Sequence, residues 1–532
     1  MNNHNSNYRL LLINQSRYND ITYEYLYHHG LRGMREIILN DFPEIEQYVP
    51  EEAFDFDPIW PGRLKFSLRD YDSSPSCSFI ADNLETPTEI MVGDIQSSDI
   101  IETLDKAKKI GHPFTHVGFS VFVTGYTRFV ESAMAVKNYD PNIITIAGNV
   151  GMLFPGTENY VDHIGRGDGI PFLRKLLGEE CNRPYKLEVI PAKNTFSLYD
   201  VELNVPIAQV VTKLGCPNNC DFCITRRLFN GKFFNSFFTP QQVHDKLVEY
   251  CRKLKKDFAI LFCEPQGIIS KQWWYDLCDL FVDEPEDYPV MITATQASLQ
   301  KFDFDRISNS SLRFYGFNIG IESFSKDYGK NAGHRNTKAL IKKLADYGIA
   351  TYGTFIIGFD HNTKESIWEE IKQAVDLDMY GLTVHNLKVL PETPLWYEYE
   401  KAGRLLDIPY DFYYLEGFQT YTHPHFKPGF ADMLPLMHDI LEYIEKERGT
   451  PLLSFIELLG NIPKKRKLFE KRIELYRKIA SFLYPSWKEH LSPSEAQQEK
   501  YLQRLGGLTR SPVILKMIQK SKIFRKVVNA II

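Results

Sequence analysis

From Val205 onward, short apolar runs recur with segments of helical periodicity between them. The runs Ile207–Leu214, Phe258–Cys263, Val290–Ala294, Phe314–Ile321, Thr351–Ile357 and Leu382–Leu390 have the length and content of buried parallel strands. Helical spacing separates them near Pro240–Lys256, Lys271–Val282, Phe324–Tyr347 and Thr363–Leu377. Six strands in this alternation predict a partial (β/α)6 TIM-type barrel, with its chemistry at the C-terminal strand ends. A second alternation lies upstream. Tyr8–Ile13, Thr115–Ser120 and Ile143–Gly148 read as strands, and Ile100–Ile110, Gly125–Tyr139 and Ile170–Leu177 as helices. This predicts an α/β, Rossmann-like doubly wound sheet whose ligand crevice lies at the strand C-termini, where Gly118, Ser120 and Gly148 fall. Glycines there let a ligand approach the backbone closely. The roughly one hundred residues after Ile13 show no clean period and are dense in aromatics and prolines from Phe54 to Leu68, as in an insertion or an irregular first layer. From about Phe412 the pattern turns aromatic, with His423 and His425, and then helical at Met433–Arg448 and Leu468–Leu483, which reads as a cap over the barrel mouth. The expected division is 1–195, 200–405 and 406–532.

Composition narrows this picture. The 532 residues are 43% hydrophobic and 14% aromatic, enough for large cores and unlike a disordered chain. A net charge of −6 gives no general attraction to nucleic acid, and none is expected as a partner. The polar start Met1–Asn7 lacks the basic and apolar regions of a secretory signal, and no run of about eighteen apolar residues is present. The last stretch, Ser511–Ile532, carries Lys516, Lys520, Lys522, Arg525 and Lys526 among apolar residues and no acid. It reads either as a helix docked on its own protein, which is favoured, or as one lying on an anionic membrane surface.

The cysteines supply candidate chemistry. Cys77, Cys181, Cys251, Cys263 and Cys278 are scattered, which is no disulfide framework, and the expectation is a reducing cytoplasm. Cys263 reads as a core residue or a second reactive thiol. Cys216, Cys220 and Cys223 instead form CxxxCxxC, with Phe222 before the third. A structural zinc site wants four protein ligands, and His244 and Cys251 lie away in an expected helix. Three thiolates fit a [4Fe–4S] cluster that keeps one iron open.

That motif resembles the signature of the radical S-adenosylmethionine (radical SAM) superfamily, in which three cysteines hold the cluster and the open iron chelates S-adenosyl-L-methionine (AdoMet). The resemblance implies further contacts to AdoMet. Glu264 matches the site that meets its amino group, Glu322 in Gly320–Ser323 the glutamate near its ribose, and Gly358 in Phe355–Phe359 the motif under its adenine. Gln296 stands where relatives often carry arginine, and Leu387–Leu395 is similar to the segment closing the barrel. Upstream, Gly148 and the Gly-Arg-Gly-Asp-Gly run with Gly165 and Gly167 resemble the cobalamin-binding domain of one branch of the superfamily. The Asp-x-His-x-x-Gly loop that presents histidine to cobalt is missing, since His163 directly follows Asp162. A Rossmann-like domain that binds nothing stays open as an alternative.

What the resemblance implies is methylation of an unactivated carbon in a metabolite, lipid or peptide, with flavodoxin or ferredoxin as electron donor. Two other outcomes stay open: cyclisation, rearrangement or oxidation without methyl transfer, and a non-catalytic iron–sulfur protein. The carboxylates weigh against the last, because a buried acid needs a cationic partner and AdoMet is one.

Overall fold

The computed structural model describes residues 8–15, 30–57, 64–67, 74–198, 201–234, 236–254, 258–326, 333–379 and 381–448. The expected helix Leu468–Leu483 and the basic stretch Ser511–Ile532 lie outside the described residues. In chain order the strands are β1 (Leu10–Gln15), β2 (Leu64–Ser67), β3 (Thr88–Gly93), β4 (His116–Val121), β5 (Ile144–Gly148), β6 (His163–Ile164) and β7 (Ile190–Leu198). They continue with β8 (Val201–Val210), β9 (Ala259–Phe262), β10 (Tyr288–Thr295), β11 (Leu312–Glu322), β12 (Ala350–Ile357) and β13 (Gly381–Asn386).

Five strands make a parallel sheet in the order β3-β1-β4-β5-β6. Counted along the chain this is 2-1-3-4-5, the flavodoxin-like form of the doubly wound sheet. The order reverses between β1 and β4, so the crevice opens at their carboxyl ends. Leu10 to Ile13 are buried, as a strand covered on both faces requires. The helix Ser97–Lys109 connects β3 to β4, burying Ile100, Leu104 and Ala107 along one stripe; Gln96 and Asp99 cap each other at its start. β3 and the helices Leu31–Asp41 and Pro75–Asp82 order part of the stretch in which no period was visible.

The second sheet runs β13-β12-β11-β10-β9-β8-β7-β2. β8 to β13 are parallel and consecutive, which is the expected six-stranded partial barrel. β7 and β2 extend its first edge in antiparallel fashion, so β2 and most of β7, which runs on past residue 195 to Leu198, join the barrel sheet from the expected first domain. The expected strand Ile207–Leu214 begins earlier and leaves the ladder after Val210, and the expected strand Leu382–Leu390 stops pairing at Asn386.

Alternate residues of each barrel strand enter the apolar layer beneath the helices, among them Ala208, Phe262, Ile292, Phe317, Ile319, Phe355, Ile357 and Val384. The intervening residues therefore face inward. Asn318 and Thr383 are exposed in mid-strand, and Cys263, Thr293, Glu322, Thr354 and His385 are half-buried. Toward the carboxyl ends the inner wall is thus polar, above an apolar floor of Ala259, Tyr315 and Ala350 with Met291 and Tyr352.

The segment after β13 joins the two sheets. Leu387, Trp396, Phe412, Tyr413, Phe418, Phe430 and Leu441 share one apolar core with Leu11, Phe119, Val121, Phe129 and Phe154 of the first sheet. Beyond capping the barrel, this segment cements it to the first sheet.

Candidate functional site

The three-thiol loop leaves the carboxyl end of β8, on the face where barrel chemistry sits. Gly215 turns the chain with φ 77°, and a Cβ there would collide with the Lys232 carbonyl. Gly215 bridges Phe233, and Phe234 N–H donates to the Leu214 carbonyl at 2.9 Å, so the loop closes on itself. Cys216 is buried, and Cys220 and Cys223 are half-buried. Cys223 N–H donates to the Cys220 carbonyl at 3.2 Å, and Leu395 N–H anchors the loop on the Asp221 carbonyl at 3.2 Å. Phe222 meets Phe359, just past β12, edge-on with ring centroids 6.0 Å apart.

Among the described residues, no three or more His, Cys, Asp or Glu side chains converge as ligands of a single metal ion. A cubane asks for something different, because each thiolate binds a separate iron and the sulfurs stay further apart. Three thiols on one irregular loop suit that group and leave a tetrahedral zinc site short of a ligand.

Glu264 does not need a ligand to neutralise it. Its carboxylate lies 3.1 Å from Lys213 Nζ, with both side chains at most 1% exposed, and also accepts from Thr212 N–H at 2.9 Å and from the Thr212 hydroxyl. Lys213 itself sits over the rings of Trp273 (4.4 Å) and Trp274 (5.1 Å). The chain thus supplies the cation that the sequence argument assigned to AdoMet. The pairing follows from register: Val210 opposes Phe262, which sets Thr212 opposite Glu264. Gln296 is likewise engaged, accepting from the Thr337 hydroxyl at 2.7 Å across two helices.

Glu322 and Gly358 lie at the carboxyl ends of β11 and β12. Glu322 has φ 66°, beside an irregularity in the β11–β12 ladder, and its carboxylate folds back over Gly320. Gly358 has φ 93°; its N–H donates to Asn362 Oδ1 at 3.0 Å and its carbonyl accepts from the Tyr421 hydroxyl.

In the first sheet, Ser120 and Gly148 stand at the carboxyl ends of β4 and β5. Asn149, at φ 65°, donates from Nδ2 to Ser120 Oγ at 3.2 Å. A Cβ on Gly148 would meet only the Phe119 carbonyl at 3.9 Å, so space remains beside it. Gly118 is different. A Cβ there would come within 2.8 Å of Leu12, so strand packing, and not ligand approach, requires this glycine. Gly165 lies 3.2 Å, from its notional Cβ, to the Phe172 ring, and Gly167 has φ 82°. The helix Tyr126–Tyr139, which starts just past the sheet's reversal point, has its first turn occupied by Asp411, which accepts from Thr127 N–H at 3.1 Å and from its hydroxyl at 2.6 Å. That helix end is closed to a phosphate.

The carboxyl ends of the two sheets meet. Gly167 N–H donates to the Leu228 carbonyl at 2.9 Å, and Arg166 pairs with Glu392 at 2.7 Å. Phe222, Ile224, Leu228, Ile356 and Phe359 pack against the first sheet's core at this junction. Sequence reasoning missed one group here. His385 Nδ1 lies 2.9 Å from Glu416 Oε1, and Lys388 Nζ lies 3.3 Å from Glu416 Oε2. Burial pushes the Glu416 carboxyl up, but Lys388, His385 and the Asn386 N–H outweigh it and hold the group below its ordinary range. The only sequence signal was a histidine at an inward position of the last strand; its partners come from a loop thirty residues on.

No protein-family model matches the chain. It is 27% identical over 210 residues to an uncharacterized methyltransferase of Pyrococcus horikoshii, covering 38% of this chain and 44% of that protein. It is 23% identical over 287 residues to the hopanoid C-2 methylase of Rhodopseudomonas palustris, 52% of each. The chain thus spans about half the length of the curated relatives it matches. Among solved structures it shares its fold with the radical S-adenosylmethionine methyltransferase TsrM from Kitasatospora setae, seen with tryptophan substrate and a SAM analog bound. That likeness has a TM-score of 0.53 at 14% identity and covers 89% of this chain and 100% of the other.

Proposed function

We propose that this chain is a radical SAM enzyme of the cobalamin-binding branch, which methylates an unactivated carbon of a metabolite, lipid or peptide. The observation that carries the reading is the three-thiol loop at the end of the first parallel barrel strand, facing the carboxyl end of a 2-1-3-4-5 sheet. The methyltransferase and methylase names of its relatives, and the fold shared with TsrM, support it.

When bound, the [4Fe–4S] cluster, AdoMet and cobalamin would supply reductive AdoMet cleavage and a methyl group for transfer. Cys216, Cys220 and Cys223 would each hold one iron, and Phe222 walls the loop against β12. Glu322 would offer a carboxylate at the end of β11, and Gly358, whose N–H and carbonyl are taken by Asn362 and Tyr421, would shape the adjacent strand end where AdoMet would lie. Lys213 and Glu264 act from below by tying the cluster loop to the end of β9. Gly148, beside which space remains, would give a flat macrocycle room, and Gly165 and Gly167 would lie on the loop bordering it. The apolar junction around Phe222, Ile224 and Phe359 keeps water from that space. In this reading residues 1–195 serve the corrinoid, 200–405 the cluster and AdoMet, and 406–532 the closure; flavodoxin or ferredoxin in the cytoplasm would supply electrons. No helix among the described residues is long and apolar enough to cross a membrane.

The test is anaerobic incubation of cluster-reconstituted, cobalamin-supplied protein with reductant and methyl-labelled AdoMet. The reading expects bound corrinoid, 5′-deoxyadenosine and labelled methylcobalamin. Formation of 5′-deoxyadenosine without bound corrinoid would move the proposal to cyclisation, rearrangement or oxidation. Absence of 5′-deoxyadenosine would leave only an iron–sulfur protein without this catalysis.

A further inference from the structure

We infer that Thr225 tunes the cluster: its hydroxyl donates a hydrogen bond to the Cys223 thiolate, stabilises the reduced state and so raises the reduction potential. This rests on the reading of the three-thiol loop as the seat of a [4Fe–4S] cluster.

Cys223 Sγ lies 3.5 Å from Thr225 Oγ1, and among the described residues this sulfur is the hydroxyl's hydrogen-bonding neighbour. While the sulfur is a thiol, either group can give the hydrogen. Once it binds iron as a thiolate it only accepts, so the hydroxyl, which rotates about its C–O bond, becomes the donor. The hydroxyl is held in place by the backbone around it. Thr225 opens the short helix Thr225–Leu228, whose flanking Ile224 and closing Leu228 pack against the first sheet's core. Leu228 N–H donates to the Ile224 carbonyl at 3.0 Å, Gly167 N–H to the Leu228 carbonyl at 2.9 Å and Gly231 N–H to the Arg226 carbonyl at 2.7 Å. A helix turns about 100° per residue, so with Ile224 and Leu228 in the core Thr225 falls beside that stripe, over the loop that carries the sulfurs. Cys223 and Thr225 are both half-buried, and water competes with the hydroxyl only in part.

Reduction adds one electron to the cluster from a flavodoxin- or ferredoxin-type donor. No bond forms or breaks at Cys223, and the threonine keeps its proton. Part of the added charge falls on the sulfurs, and a hydrogen bond to an anionic acceptor strengthens with that charge, so the contact favours the reduced state.

The test is a redox titration of the reconstituted cluster, followed by electron paramagnetic resonance, in wild type, Thr225→Val and Thr225→Ser. Thr225→Val keeps the shape and removes the hydroxyl. It should make reduction about ten-fold less favourable, which is a midpoint about 59 mV more negative for a one-electron couple. Thr225→Ser should stay within about two-fold of wild type. Resonance Raman spectra should show an iron–cysteine stretch at higher frequency in Thr225→Val and unmoved in Thr225→Ser. A Thr225→Val midpoint within two-fold of wild type, or a Thr225→Ser midpoint displaced as far as that of Thr225→Val, overturns the inference. Should Thr225→Val not hold a cluster, Thr225→Ala takes its place, and loss of the cluster from both would give the hydroxyl a structural task and overturn the inference too. Failure of the functional reading shows separately, as a wild type that assembles no [4Fe–4S] cluster, and it takes this inference with it.

Discussion

Replacing Lys213 by methionine tests the buried pair beneath the cluster loop. Methionine keeps most of the packing on Trp273 and Trp274 and removes the charge 3.1 Å from the Glu264 carboxylate. At that separation, an effective dielectric near 20 gives an attraction of about 5 kcal/mol. Thr212 still donates to the stranded carboxylate, and some water can enter. The expected loss is therefore about 3–5 kcal/mol, the usual cost of leaving one buried charge alone. Lys213→Met combined with Glu264→Leu removes both charges and should recover most of it, with a coupling of at least about 2 kcal/mol. Urea unfolding followed by tryptophan fluorescence reads this directly, since two of the reporting rings flank the lysine. A single variant within about 1 kcal/mol of wild type, or strictly additive effects, would refute the reasoning. Glu264 would then return as a carboxylate available to a cationic ligand.

Three further outcomes are expected. Cys216→Ala, Cys220→Ala or Cys223→Ala should each lower the iron and sulfide bound after reconstitution, whereas Cys251→Ala and Cys278→Ala should not, because burial holds both of those thiols up to about 12. Gly358→Ala should lower stability by about 1–2 kcal/mol in thermal unfolding, since φ is 93° and the new methyl would sit 3.3 Å from Met433 and 3.4 Å from the Tyr421 hydroxyl. Burial, with His163 adding to it, holds the buried His116 down to about 4, so between pH 6.5 and 4 the unfolded chain binds a proton that the folded chain refuses. Stability should fall as pH drops through that window, and His116→Asn should flatten the fall in a pH series of unfolding midpoints.

The barrel was legible because parallel strands buried beneath helices are written as continuous apolar runs, and their order along the chain is their order in the sheet. The cysteine loop was legible because all its donors lie within eight residues. β2 and β7 were not, because their pairing partners are distant or antiparallel and nothing local marks either strand as part of the barrel. Glu264 was assigned to a ligand for the same reason: its cation, Lys213, lies some fifty residues away and meets it only through the β8–β9 register. Gly118 shows the converse, a glycine at a ligand-like place in the sequence that the packing of Leu12 demands. The His385 group was hidden because Glu416 and Lys388 acquire meaning only once the chain returns over β13.

Asp411 completes the first turn of a helix whose own residues begin at Tyr126, and Phe412, Phe418 and Phe430 finish a core begun by Leu11. On a ribosome, which releases the chain from its first residue onward, the leading sheet must wait for some three hundred later residues before its core can close. The barrel, whose strands pair with their neighbours in sequence, has no such delay. Assembly is therefore expected to run from the middle outward, with the leading sheet locked last, so that its crevice stays open until the returning segment shuts over it.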